Sequence, residues 1–256
     1  MQEIILSEEY LVNVDGTSEG SQQKYFKDGI WYKKDFFGGE GQAEELASLL
    51  LSCSNLEPSQ YVMYQQIRLN YSDGCCSEDF LKPNEQFVTI YRLYANMRGR
   101  NIAQDLVAMK KEDRCRYVLD FMQEVTGLDL HTYFANVMML DKIIRNEDRH
   151  FNNVGVIFDG STFKEAPIFD NGKSFFVGNY SVKAGLSISE NIKRTSAKSF
   201  SGSFEWNSTF FEEYRTISFD WNLFREKVDY AKFGKLPFAK ELLEFQEKEV
   251  DSFREK

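Results

Sequence analysis

The run Asp148-Arg149-His150-Phe151-Asn152-Asn153 lies between an apolar helical stretch and a pair of strand-like segments that lead to Phe169-Asp170-Asn171-Gly172. No other feature constrains the fold of this chain as tightly. Residues 154–158 and 163–169 have strand character, and Asp159-Gly160-Ser161-Thr162 between them is turn-rich, so the segment reads as a β-hairpin. With that turn, Asn153 stands opposite Ile168, and Asp170 follows about 7 Å further along at about 3.3 Å per residue. A carboxylate, Asp148, and two oxygen donors, Asn153 and Asp170, are thereby drawn toward one point.

That set of residue types suits metal-assisted phosphoryl transfer. The reaction needs a carboxylate to orient or deprotonate the attacking hydroxyl, and oxygen ligands that hold Mg²⁺ against the phosphates. Asp148 fits the first role, and Asn153 and Asp170 fit the second. A plainer reading exists: a helix C-terminus with a surface ion pair, then an ordinary Asp-Asn-Gly turn. The hairpin and the second aspartate that follow the motif favour the chemical reading.

The amino-terminal third reads as strands at residues 3–14, 24–26, 30–34, 61–70 and 74–80, with turns at Asp28-Gly29 and Tyr71-Ser72-Asp73-Gly74. The loop from Asp15 through Gly16, Thr17, Ser18, Gly20 and Ser21 has the small residues that let backbone N–H groups surround phosphate oxygens. After Gly38-Gly39, Ala43, Leu46, Ala47 and Leu50 mark one face of a helix. Glu44 borders that face and Glu45 points away, so Glu44 is the candidate partner for Lys33 on the preceding strand. Such a pair would present the lysine to the α- and β-phosphates.

Further along, helices are expected at residues 85–97, 101–109, 112–126 and 130–145, and a charged amphipathic helix at 237–256. Residues 185–206 are rich in Ser and Gly with no period and read as a flexible surface segment. A hydrophobic share of 42%, with 23 Phe and 13 Tyr, marks a globular chain. The net charge of −9 and the absence of a basic run disfavour nucleic acid and anionic membrane as direct partners. No stretch approaches the ~20 apolar residues of a membrane span, so a cytoplasmic location is expected. The four cysteines lack paired metal-ligand spacing and read as reduced thiols; two histidines are too few for a histidine-based metal site.

Lys24-Tyr25-Phe26, Trp31-Tyr32-Lys33, Glu40-Gly41-Gln42-Ala43-Glu44 and Asn146-Glu147-Asp148-Arg149-His150, with Asn153, resemble the HipA-like kinases of bacteria. The likeness covers residues 15–175 and is to short members made of little more than the kinase region. It implies an α+β, bilobal, protein-kinase-like fold, with a small antiparallel β-rich lobe at 1–81 and a larger helical lobe at 82–256. It also implies ATP- and Mg²⁺-dependent phosphorylation of protein serine or threonine. On this likeness Asp148 is the catalytic base or hydroxyl-orienting residue, Asn153 and Asp170 are the Mg²⁺ ligands, and Lys33 contacts the phosphates with Glu44 as its ion-pair partner. The Gly16–Ser21 loop covers the phosphates, with Thr17, Ser18 and Ser21 as autophosphorylation sites. Backbone near Ser77, Glu78 and Phe80 receives the adenine. A regulatory or antitoxin partner is a further expectation. The loop lacks both Gly-x-Gly-x-x-Gly and a P-loop lysine motif, so its role rests on position. Asp-Arg-His-x-x-Asn is also similar to phosphoinositide kinases, which keeps a lipid or small-molecule kinase open beside a nucleotide-binding pseudokinase.

Overall fold

The structure, a computed structural model, describes residues 1–12 and 22–252. The Gly16, Thr17, Ser18, Gly20 and Ser21 assignments lie outside the described residues. Asp28 and Gly29 have φ angles of 52° and 77°, the left-handed pair that a two-residue hairpin turn requires. The chain therefore folds β2 (Lys24–Lys27) back on β3 (Ile30–Lys34), with Lys24 opposite Lys33 and Tyr25 opposite Tyr32. β4 (Gln65–Leu69) and β5 (Ser72–Glu78) form a second hairpin, and β5 joins β3. These strands are antiparallel as expected, while β1 (Gln2–Ile4) adds a parallel edge beside β4, giving the order β1-β4-β5-β3-β2.

Two local expectations shift. The β4–β5 turn falls at Asn70 and Tyr71, whose φ angles are 47° and 63°, rather than at Ser72-Asp73-Gly74. Gly74 is inside β5 because α1 (Glu40–Leu51) crosses there: a Cβ on Gly41 would collide with the Gly74 carbonyl oxygen. Among the described residues of the expected strand at 3–14, only Glu3 and Ile4 pair in a ladder; Glu8–Tyr10 is a 3₁₀ turn. Asn70 explains the anchoring of this segment, since its side chain accepts from Leu6 N at 2.8 Å and donates to Leu6 O at 3.0 Å. Leu6 then helps to cover Tyr25, Tyr32, Ile67 and Leu69 on the outer face of the sheet. On the inner face, Ala43, Leu46, Ala47 and Leu50 of α1 are fully buried, as their spacing predicts.

The expected helix at 85–97 begins late. Gln86-Phe87-Val88-Thr89 has β-forming side chains and pairs as β6 (Gln86–Thr89) with β7 (Gly155–Phe158). Thr89 then caps α2 (Ile90–Arg98), accepting from Arg92 N at 3.0 Å. The predicted hairpin register holds from Val156 opposite Glu165 to Phe158 opposite Phe163, but β8 (Phe163–Glu165) is short and the expected pairing of Asn153 with Ile168 does not form. Beyond Ala166-Pro167 the chain leaves β7, and Ile168 bridges Tyr61 in parallel instead. Proline cannot extend the ladder as a donor, which accounts for the exit.

α3 (Ile102–Val107), α4 (Lys111–Thr126) and α5 (His131–Ile144) follow the expected helical segments. α5 is the spine of the core: Phe134, Val137, Leu140, Ile143 and Ile144 are at most 1% exposed. Residues 185–206 are not a surface segment throughout. They include α6 (Ile188–Ile192) and the start of α7 (Phe204–Phe210). Phe200 is buried among Phe134, Phe151 and Phe211. Elements this short show no period, and a single buried aromatic between polar neighbours does not announce itself. α8 (Trp221–Lys227) and α9 (Ala239–Ser252) complete the helical part. No helix among the described residues is long and apolar enough to cross a membrane.

Candidate active site

α5 ends at Arg145, whose φ of 54° turns the chain out of the helix. The side chain of Arg145 stays inside, 2.7 Å from Glu205 and over the ring of Phe204. The following loop is held from below by Arg149, which is 2% exposed. Its guanidinium faces Asp141 of α5, with Nε 3.1 Å from Oδ2 and Nη2 3.1 Å from Oδ1. It also donates to the Phe169 carbonyl and, at 2.5 Å, to Asn171 Oδ1. Burial lowers the tendency of Arg149 to hold its proton, but Asp141 outweighs this and the guanidinium is raised above its ordinary value. One buried arginine thus ties the Asp148 loop to the segment that carries Asp170.

Asn146 repeats that link, donating to Asp141 Oδ1 at 3.3 Å and to the Asp170 carbonyl at 3.4 Å. It also accepts from Asp148 N at 3.1 Å. Asn153 Nδ2 donates to the Asp148 carbonyl at 2.9 Å. With its nitrogen so engaged, the side-chain oxygen of Asn153 is left as the donor for a ligand. The Asp148 carboxylate is itself partly exposed.

Lys33, Glu44 and Asp170 meet. Lys33 Nζ lies 2.8 Å from Glu44 Oε1, 2.7 Å from Asp170 Oδ1 and 3.4 Å from the Tyr64 hydroxyl. Glu44 uses its other oxygen to accept from Asn171 N at 2.7 Å. The helix, the sheet and the segment after the β7–β8 hairpin are therefore joined through two carboxylates and one ammonium. Burial disfavours the charge on Lys33, but Asp170 and Glu44 outweigh it and hold the ammonium well above its ordinary value. Burial would raise Asp170 in the same way, yet Lys33 and Lys24 hold its carboxyl well below the usual carboxylate range. Burial pushes Glu44 up, with Lys33 opposing. Asp170 has a φ of 62°, an unfavourable conformation for a side-chain-bearing residue of the kind that collects at functional sites.

Ser77 and Glu78 lie in β5, paired with Trp31 and Ile30. Phe80 packs on Phe169 with ring centroids 5.4 Å apart and on Phe87 at 5.9 Å. The N–H of Asp79 is taken by the Gly29 carbonyl at 2.8 Å. A cavity of about 1160 Å³ opens beside these residues, toward Leu128, Tyr133 and Phe163, and Lys33, Asp148, Asn153 and Asp170 do not line it.

Several site residues escaped the sequence reading. Arg149, Asn146 and Asn171 stand within or beside the motif, and their roles appear only once Asp141 is placed. Lys24 is opposite Lys33 on the same face of the sheet. The two-residue turn at Asp28-Gly29 was the signal for that pairing. Burial lowers the Lys24 ammonium below its ordinary value, Lys33 adding to this and Asp170 opposing it. Lys198, whose Nζ is 2.5 Å from Asp148 Oδ1, had no local signal at all.

No family model matches the chain, and no curated protein matches it. Among solved structures, the Helicobacter pylori proinflammatory kinase CtkA is similar over 93% of this chain and 89% of its own, at a TM-score of 0.57 and 16% identity. The fold is kinase-like. At that identity the likeness is one of architecture, and it spans both the β-rich sheet and the helical part.

Proposed function

We propose that this chain is an ATP- and Mg²⁺-dependent kinase of the HipA-like type, transferring the γ-phosphoryl group to serine or threonine hydroxyls of a protein. The observation that carries this reading is the convergence of Lys33 on Glu44 at 2.8 Å and on Asp170 at 2.7 Å. A lysine held by one buried and one half-buried carboxylate, in a kinase-like fold, is the arrangement that grips nucleotide phosphates. In this reading residues 1–81 grip the nucleotide and residues 82–256 carry the reacting groups.

The donor set fits Mg²⁺. Asp170 is kept ionised, and the Asn153 side-chain oxygen is oriented by the bond its nitrogen makes. Both are hard oxygen donors, and Mg²⁺ commonly rests on one or two carboxylates with phosphate oxygens and water completing its shell. Bound there, the ion neutralises charge on the phosphates. Lys33 donates to phosphate oxygens, and Glu44 keeps it aimed. Lys24 adds a second positive charge on the same face. Asp148 accepts a hydrogen bond from the acceptor hydroxyl and takes its proton as the new O–P bond forms. Arg149 and Asn146 fix the distance between Asp148 and the metal ligands. Ser77, Glu78 and Phe80 border the adenine, and the Gly16–Ser21 loop covers the phosphates.

The test is transfer from γ-labelled ATP with Mg²⁺ to the chain itself and to proteins of a cell extract, comparing wild type with Asp148→Ala. Label on protein with wild type alone is the expected result. Label found only in lipid or small-molecule fractions would replace the acceptor class, and no transfer by either protein would sink the kinase reading.

A further inference from the structure

Neither basic residue next to Asp148 in its own loop hydrogen-bonds its carboxylate. Of the two basic residues beside it, Arg149 is turned inward to Asp141, Asn171 and the Phe169 carbonyl. His150 Nε2 is 3.9 Å from Asp148 Oδ1, beyond hydrogen-bond reach. The cation comes from elsewhere: Lys198, 50 residues later, brings Nζ to 2.5 Å from Oδ1.

The backbone around Lys198 is fastened to the backbone around Asp148. Ser196 N donates to Glu147 Oε1 at 3.0 Å, and Ser199 Oγ donates to the Arg149 carbonyl. The residues on either side of Lys198 thus bind the residues on either side of Asp148. Phe200, 1% exposed, drives this segment into the core against Phe134 and Phe151. Arg114 holds the Phe200 carbonyl at 3.3 Å. A lysine on an unattached surface strand would have none of these ties. The Lys198 side chain itself is 53% exposed, so the ion pair contributes little to stability and its consequence is geometric.

We propose that Lys198 is the positioning residue for Asp148, holding Oδ1 so that Oδ2 faces the acceptor hydroxyl. This rests on the kinase reading above. In the transfer step the acceptor oxygen forms a bond to Pγ and the bond from Pγ to the bridging oxygen breaks. The electron pair leaves with ADP, and the hydroxyl proton passes to Asp148 Oδ2. No further reactant is needed. Fixing one carboxylate oxygen reduces the orientations that Asp148 must search, which affects the chemical step and not the binding of nucleotide.

The experiment measures initial rates of transfer from γ-labelled ATP with Mg²⁺ onto the chain or onto extract proteins, as a function of ATP concentration. For Lys198→Met we expect kcat lower by roughly 10- to 100-fold and KM for ATP within about twofold of wild type. Lys198→Arg, which keeps the charge, regains most of the rate. All variants melt with wild type, because the anchors at Ser196, Ser199 and Phe200 are untouched. In an Asp148→Asn background, Lys198→Met adds nothing, since both changes act on one contact. A wild-type rate in Lys198→Met, or a further drop on adding it to Asp148→Asn, overturns the assignment and leaves the kinase reading in place. No transfer by wild type overturns both.

Discussion

Arg149 keeps a full charge in the interior because Asp141 faces it on the adjoining helix, with the closest pair at 3.1 Å and both side chains at most 3% exposed. Breaking such a pair is costlier than never having built it, since the remaining charge is left without a partner. Arg149→Met should therefore destabilise the chain by about 3–5 kcal/mol in urea unfolding at neutral pH. Adding Asp141→Leu should recover part of the loss; a double variant as unstable as Arg149→Met alone would count against the pair. Lys24 leads to a pH prediction. Its ammonium is lowered by burial, whereas Lys33 is raised by Asp170 and Glu44. As pH rises, Lys24 releases its proton first, and one of the two cations proposed to face the phosphates is lost while Lys33 stays charged. ATP affinity should fall on the alkaline side below the ordinary lysine value, by about 1.5–3 kcal/mol for one charged contact. Lys24→Met should bind more weakly at neutral pH and show a flat profile; a wild-type profile in that variant would contradict the assignment. The linkage to stability has the opposite sign: a lysine whose folded value is depressed favours the fold more as pH rises through that value toward the unfolded one. The meeting of Lys33 with Glu44, and of Asn153 with the Asp148 loop, was legible in the chain because strand and helix periods and the motif spacing place those residues together; their roles in transfer belong to the proposal. Lys24 needed a sheet register, and Lys198 needed the tertiary fold.

α1 transmits the position of Glu44, and its placement depends on a close approach to the sheet. Gly41 on the helix faces the Gly74 carbonyl of β5 with no room for a Cβ, and Asp35 caps the same turn by accepting from Gly39 N at 2.7 Å and Gly41 N at 2.8 Å. The obstacle at Gly41 is backbone, not the end of a flexible side chain, so Gly41→Ala must push helix and strand apart. Overpacking of this kind costs about 1–3 kcal/mol. The expected signature is a lowered melting temperature together with a drop in phosphate transfer that exceeds the loss of folded protein, because the 2.8 Å Lys33–Glu44 contact is stretched. Undiminished transfer per folded molecule would mean that α1 can shift without consequence. The α1 stripe was legible because one helical face carries its apolar residues. The strand at Gln86–Thr89 and the short helices between 188 and 210 were not, since pairing with β7 and the burial of Phe200 are decided by parts of the chain far away.

The sheet and the helical part are joined in two places. In one, Lys33 binds Asp170 and Glu44 binds Asn171 N. In the other, Val62 N donates to the Ile168 carbonyl and Ile168 N to the Gln60 carbonyl, while Asp220 N donates to the Cys53 carbonyl. Asn55 exchanges side-chain bonds with the Thr216 carbonyl at 3.0 Å and with Ser218 N at 2.8 Å. α1 also shares one continuous core with α5, so Leu46 and Phe134 are buried in the same cluster. Separating residues 1–81 from 82–256 would expose that core, so the two parts should unfold together. The three tryptophans allow a direct check. With Trp206 and Trp221 replaced by Phe, Trp31 reports on β3 alone, while far-ultraviolet circular dichroism follows the helices. Coincident urea transitions are expected from the two probes, as a single cooperative unit requires. MgATP at about 100 times its Kd should stabilise both by about 2.7 kcal/mol. Lys33→Met should abolish most of that shift without parting the two curves, because the contacts of Val62, Ile168, Asn55 and Asp220 remain. Curves that part in wild type would mean that the sheet folds as a unit of its own, and the Lys33–Asp170 and Glu44–Asn171 contacts would then be a latch between two independent bodies.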